Sequence, residues 1–119
     1  MQDAGASEED KKKIGDSQKA QQASQEYDSA VQTETQKCSA WNAARQKLAQ
    51  AQSNRDAVYA NPNSTAQQKS DADAKLAQAQ QEEQAAHAAY NSAQSNRRSK
   101  QATLEGITGQ SYGDLNCDS

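Results

Sequence analysis

The chain has 119 residues, a formal net charge of -3, 33% hydrophobic residues and no Phe, and its mean hydropathy is -1.23. Its aliphatic residues larger than alanine are Ile14, Val31, Leu48, Val58, Leu76, Leu104, Ile107 and Leu115, too few to bury a conventional globular core. No stretch approaches the roughly 18 apolar residues of a membrane span, and the basic excess expected of a nucleic-acid binder is missing.

So little Leu, Ile, Val and Phe is a disorder signature. Two features oppose it: the net charge is small, and Ala, Gln, Lys, Glu and Arg, all good helix formers, dominate the composition. Residues 1–16 read as a polar tail or a short helix. Ser7 is placed to cap it, Glu8–Lys12 and Glu9–Lys13 are paired at helical spacing, and Ile14 is the single apolar anchor before Gly15. The opening from Gln2 to Ser7 resembles the tether that follows a lipoprotein's acylated cysteine, and the residues diagnostic of that class would lie upstream.

From Ser17 to Ala60 there is neither Pro nor Gly, and the composition predicts one long helix. Tyr27, Val31, Glu34, Cys38, Trp41, Ala44, Leu48, Ala51, Arg55 and Val58 share a face at spacings of three and four. Asn61-Pro62-Asn63 then stops the helix, because Pro62 lacks an amide donor and disfavours helix at the residue before it. Ser64 with Gln67 reads as the capping box of a second helix.

That helix is expected to run to residue 105. A heptad seam places Lys69, Ala72, Leu76, Ala79, Glu83, Ala86, Tyr90, Ala93, Arg97, Lys100, Leu104 and Ile107 on one face. The charged members weaken the seam and set its register. The segment Lys47–Gln52 recurs as Lys75–Gln80, four heptads on, as equivalent seam positions would. A break at 61–64 this short makes the helices antiparallel neighbours. Partner numbers then sum to about 124, so Leu48 faces Leu76, Trp41 faces Glu83, and Tyr27 lies near Arg97.

Residues 106–119 contain Gly106, Gly109 and Gly113 and read as a mostly non-helical tail. The two cysteines, Cys38 and Cys117, lack the close spacing of a zinc motif and read as a disulfide. An extended tail is long enough to fold back along the hairpin and reach Cys38, carrying Ile107, Tyr112 and Leu115 over the groove near Tyr27, Val31 and Trp41. The expected fold is therefore all-α: an elongated, coiled-coil-like antiparallel hairpin over 17–105, extendable to a bundle of three or four segments, with a C-terminal tail stapled back onto helix 1.

Catalytic chemistry has no support in the sequence. The lone His87, four residues after Glu83, does not match the Glu-x-x-His spacing of di-iron bundles. No nucleophile elbow, phosphate-binding loop or dinucleotide fingerprint is present. No catalytic, metal or cofactor residue is expected, and His87 reads as a solvent-facing residue beside the seam. Asn63-Ser64-Thr65 fits the N-glycosylation sequon at an exposed turn, where turn chemistry alone would also select these residues. The residues expected to meet a partner are Trp41, Tyr27, Tyr112, Asn61 and Asn63.

A disulfide implies an oxidising compartment, outside the cell, in a periplasm or at a surface. The expected function is a non-enzymatic spacer or protein-interaction module, whose partner is another protein or a second hairpin paired through the seam. The alternatives are the mature part of a lipid-anchored envelope lipoprotein, a helical oligomeric channel, and a small inhibitor of a secreted enzyme.

Overall fold

A computed structural model describes residues 3–117, with side chains from Ser17 to Cys117. The fold is all-α. Helix α1 spans Asp3–Ala60 and helix α2 spans Ala66–Thr108, paired antiparallel as a hairpin. The expected Ser7 cap, the Glu8–Lys12 and Glu9–Lys13 pairs and the Ile14 anchor lie outside the described side chains.

The connection is held by local bonds. The Asn61 amide donates to the Ala57 and Val58 carbonyls, at 3.1 and 3.3 Å, closing α1. Ser64 N–H returns to Asn61 O at 3.1 Å, and Asn63 N–H donates to the Asn61 side-chain oxygen at 3.0 Å. The Asn61–Ser64 turn therefore forms where the sequence places it. The capping box falls one residue later than expected. Thr65 Oγ1 accepts from Gln68 N–H at 3.1 Å, and Gln68 Oε1 accepts from Thr65 N–H at 2.9 Å. Ser64 is committed to the turn, which leaves Thr65 as the N-cap and pairs it with Gln68 instead of Gln67.

At its other end α2 passes through Gly106 and stops at Thr108. Gly109 adopts φ +73°, and its amide donates to Glu105 O at 2.8 Å. This is the left-handed glycine cap, which a residue with a Cβ adopts only at a steric cost.

The chain divides into two compact units. The first comprises Met1–Glu34 and Ala93–Asn116. Among its described side chains Ala23, Ala30, Glu34, Ala93, Arg97 and Leu104 are buried. The second comprises Thr35–Ser92 and Cys117–Ser119, with Ala44, Ala72, Ala79 and Tyr90 buried. In both, alanines occupy the positions between helices, so each core contributes little apolar area. Ile107 and Leu115, expected to pack over the groove, remain 38% and 37% exposed. The tail is attached to the rest of the first unit by polar groups as well as by Tyr112, so these two side chains stay only partly covered.

Candidate functional site

Residue clusters stand out in both units. In the second unit Cys38 and Cys117 form the disulfide, with S–S 2.02 Å and Cα–Cα 5.5 Å. Asn42, one turn after Cys38, sets its amide against both sulfurs, Nδ2 at 3.8 Å from Cys38 Sγ and Oδ1 at 4.0 Å from Cys117 Sγ. An oxidised sulfur carries no proton, so the second contact is packing.

Trp41 is half-buried on the same face of α1. Its indole N–H donates to Glu83 Oε1 at 2.9 Å, which places these two residues level, as the hairpin register requires. The ring stacks on His87, centroids 4.1 Å apart and planes 5° from parallel, and meets Tyr90 at 5.3 Å. The Arg45 guanidinium lies 3.7 Å from the ring centroid, an attractive placement for a cation. Arg45 Nε and Nη2 are buried without a hydrogen-bond acceptor, so the indole is the partner that offsets their desolvation. His87, as expected, is solvent-exposed, and its stacking explains how a histidine beside the seam is held.

Nearer the turn, Asp73 accepts from Arg55 Nε at 2.7 Å and from the Tyr59 hydroxyl at 2.6 Å. The hydrogen bond to Asp73 raises the Tyr59 pKa. The bonds from Tyr59 and then Arg55 lower that of Asp73. Tyr59 is 43% exposed, with Arg55 at 4.6 Å and Lys69 at 5.6 Å from its ring. Asn61 and Asn63 are both exposed in the turn.

The first unit is organised around Arg97, whose side chain is fully buried. Its Nε and Nη2 grip the Glu34 carboxylate at 2.7 and 3.2 Å. Nη1 donates to Gln101 Oε1 at 2.6 Å. Nη2 also reaches Asp114 Oδ1 at 2.7 Å and Leu115 O at 3.4 Å. A single guanidinium thus ties α1, α2 and the tail together. Its bonds to Glu34, against the opposing effect of burial, raise its pKa further. Arg97 and then Arg98 hold Asp114 down to about 2. The tail is secured further by Gln101 Nε2 donating to Tyr112 O at 2.6 Å and by Tyr112 N–H donating to Glu105 Oε2 at 2.7 Å. Tyr112 packs on Tyr27, with ring centroids 5.3 Å apart.

Of the residues singled out from the sequence, the structure brings Cys38 to Cys117 and Tyr27 to Tyr112, and it sets Asn61 and Asn63 in one turn. Arg97, expected near Tyr27, takes Glu34 and Asp114 as its partners. The role of Arg97 as a hub is not evident from its type. The available signal was only that Glu34 and Arg97 are opposite charges on the two seam faces, since a register summing to about 124 sets Arg97 level with Tyr27.

Among the described residues no group of His, Cys, Asp and Glu could hold a metal ion, and no helix is long and apolar enough to cross a membrane. No family model matches the chain, and no curated protein or solved structure matches it.

Proposed function

We propose that this protein is a non-enzymatic spacer or protein-interaction module that works in an oxidising compartment: outside the cell, in a periplasm or at a cell surface. The observation that carries the reading is the Cys38–Cys117 disulfide, which closes a sequence separation of 79 residues. In a reducing compartment such a bridge would not persist, and a chain with an alanine core would lose its strongest constraint. The long helices suit a spacer, because an α-helix advances about 1.5 Å per residue with little mass per unit length. Trp41, Tyr59 and the Asn61–Ser64 turn are the surface features that suit a protein partner, since aromatic residues are favoured binding anchors.

The test is thiol trapping in the source cell, with the protein followed by fractionation. The reading expects the protein in the extracellular or envelope fraction and no alkylation of Cys38 or Cys117 until a reductant is added. Recovery of the protein in the cytosolic fraction with both thiols alkylated would refute it. Sedimentation of the purified oxidised protein then separates a lone hairpin from a pair of hairpins.

A further inference from the structure

We infer that Asn63 is an acceptor site for N-linked glycosylation, which rests on the reading that the chain is exported. The chain has seven asparagines, and only Asn63 is followed by a residue other than proline and then by Ser or Thr. The structure puts this one sequon in the connection between α1 and α2, the sole non-helical segment between Asp3 and Thr108. Asparagines inside the helices have their backbone committed to the helix. Asn63 is exposed, as are Pro62 and Thr65 beside it.

The bonding of the turn leaves the reacting groups available. Asn63 uses its backbone N–H to cap the Asn61 side chain, a bond that does not engage its own carboxamide. Thr65 Oγ1 accepts from Gln68 N–H, so its hydroxyl proton is still free to be donated to a transferase. A glycan at Asn63 leaves from the end of the hairpin and needs no side chain of either seam to move.

The donor is a lipid-linked oligosaccharide of a secretory pathway. A bond forms between the Asn63 Nδ2 and the anomeric carbon of the first sugar. The bond from that carbon to the pyrophosphate oxygen breaks, and the lipid pyrophosphate leaves with the electron pair. The carboxamide gives up one proton to a base of the transferase, and no oxidant or reductant is consumed.

Asn61 is an internal control. It is also exposed, two residues away, but Pro62 follows it, so it must stay unmodified.

The experiment is secretion of the full chain, behind a cleavable leader, from a eukaryotic cell with N-glycosylation, read by intact mass and by peptide mapping. The expected result is a glycan mass that a peptide N-glycosidase removes, leaving the deamidation tag at Asn63 and none at Asn61. The mass should disappear in Asn63→Gln and in Thr65→Ala and persist in Thr65→Ser, which keeps both the cap and the hydroxyl. Secreted, disulfide-bonded protein without a glycan would overturn the inference and leave the export reading standing. Retained protein with free thiols would overturn both. A glycan that survives Asn63→Gln would place the modification elsewhere and overturn this assignment.

Discussion

Arg97→Met tests the buried hub directly. Arg97 has no exposed side-chain surface, and Glu34 opposite it is 4% exposed at the side chain. Removing the guanidinium leaves the Glu34 carboxylate buried without its counter-charge, and Asp114 and Leu115 O lose their anchor. Breaking one side of a buried ion pair costs about 3–5 kcal/mol. A chain of this size has a total stability of about 5–15 kcal/mol, so the loss is a large fraction of it. The double variant Glu34→Leu/Arg97→Met removes both charges and fills the space with apolar atoms. It is expected to recover most of the loss, because well-packed apolar replacements of a buried pair are neutral or stabilising. Urea denaturation of the oxidised proteins, followed by far-UV circular dichroism, measures all three. An Arg97→Met loss within about 0.5 kcal/mol, the range of an ordinary surface substitution, would show that the pair is solvated. Additive losses in the double variant would show that the two side chains do not depend on each other. Either result refutes the reasoning.

Reducing the protein, or replacing Cys38 with Ser, should lower stability by about 4 kcal/mol through loop entropy, seen as a large drop in Tm on adding reductant. Thr65→Ala should cost about 1 kcal/mol as a lost N-cap, whereas Ser64→Ala should change the denaturation midpoint little. Gly106→Ala should stabilise by about 0.5–1 kcal/mol, since the position is helical and nothing lies within 4 Å of the added Cβ. Gly109→Ala should destabilise, because φ there is +73°, so thermal melts of the two variants must move in opposite directions. Acid should loosen the tail. Asp114 titrates at about 2 when folded and near 3.9 when unfolded. Its contribution is present above about pH 4 and is lost as the pH falls through about 2. Asp114→Asn should flatten that limb of a stability-against-pH curve.

The two helices, their antiparallel pairing, the turn at 61–64 and the disulfide follow from composition, periodicity and the reach of the tail. The level placement of Trp41 and Glu83 follows from the short turn. The sequence resolves less where two residues compete for one role. Ser64-x-x-Gln67 and Thr65-x-x-Gln68 both match a capping box, and the tie is broken only when Ser64 N–H is drawn to Asn61 O. Gly106 carries a propensity cost of about 1 kcal/mol in a helix. Burial of Leu104 and the Glu105 and Gln101 bonds to the tail exceed it, and no local pattern displays those distant terms. The tail's polar attachment was illegible for a similar reason. Its apolar residues suggested hydrophobic packing, which Tyr112 makes with Tyr27, but the bonds of Asp114 and the Tyr112 backbone were not suggested.

The charged residues on the seam are the instructive case. Read by type, Arg97 and Glu34 weaken an apolar stripe. In the structure they bond to each other across two helices whose buried residues are mostly alanine, with Tyr90 and Leu104 the larger exceptions. A methyl group buries little area, at about 25 cal/mol per Å², so many alanines do not fix one register against its neighbours. Slipping one helix by a turn would give up the few larger contacts, such as Trp41 on His87 and Tyr90. It would also strand the Glu34 carboxylate and the Arg97 guanidinium in a low-dielectric seam, a penalty of several kcal/mol. In a larger core such a pair is dispensable for stability. Here it supplies the discrimination between registers that branched aliphatic side chains provide elsewhere, and by reaching Asp114 it holds the tail with the same group. A hairpin whose core is mostly alanine thus adds a buried charge pair to the short turn and the few large side chains that set its register.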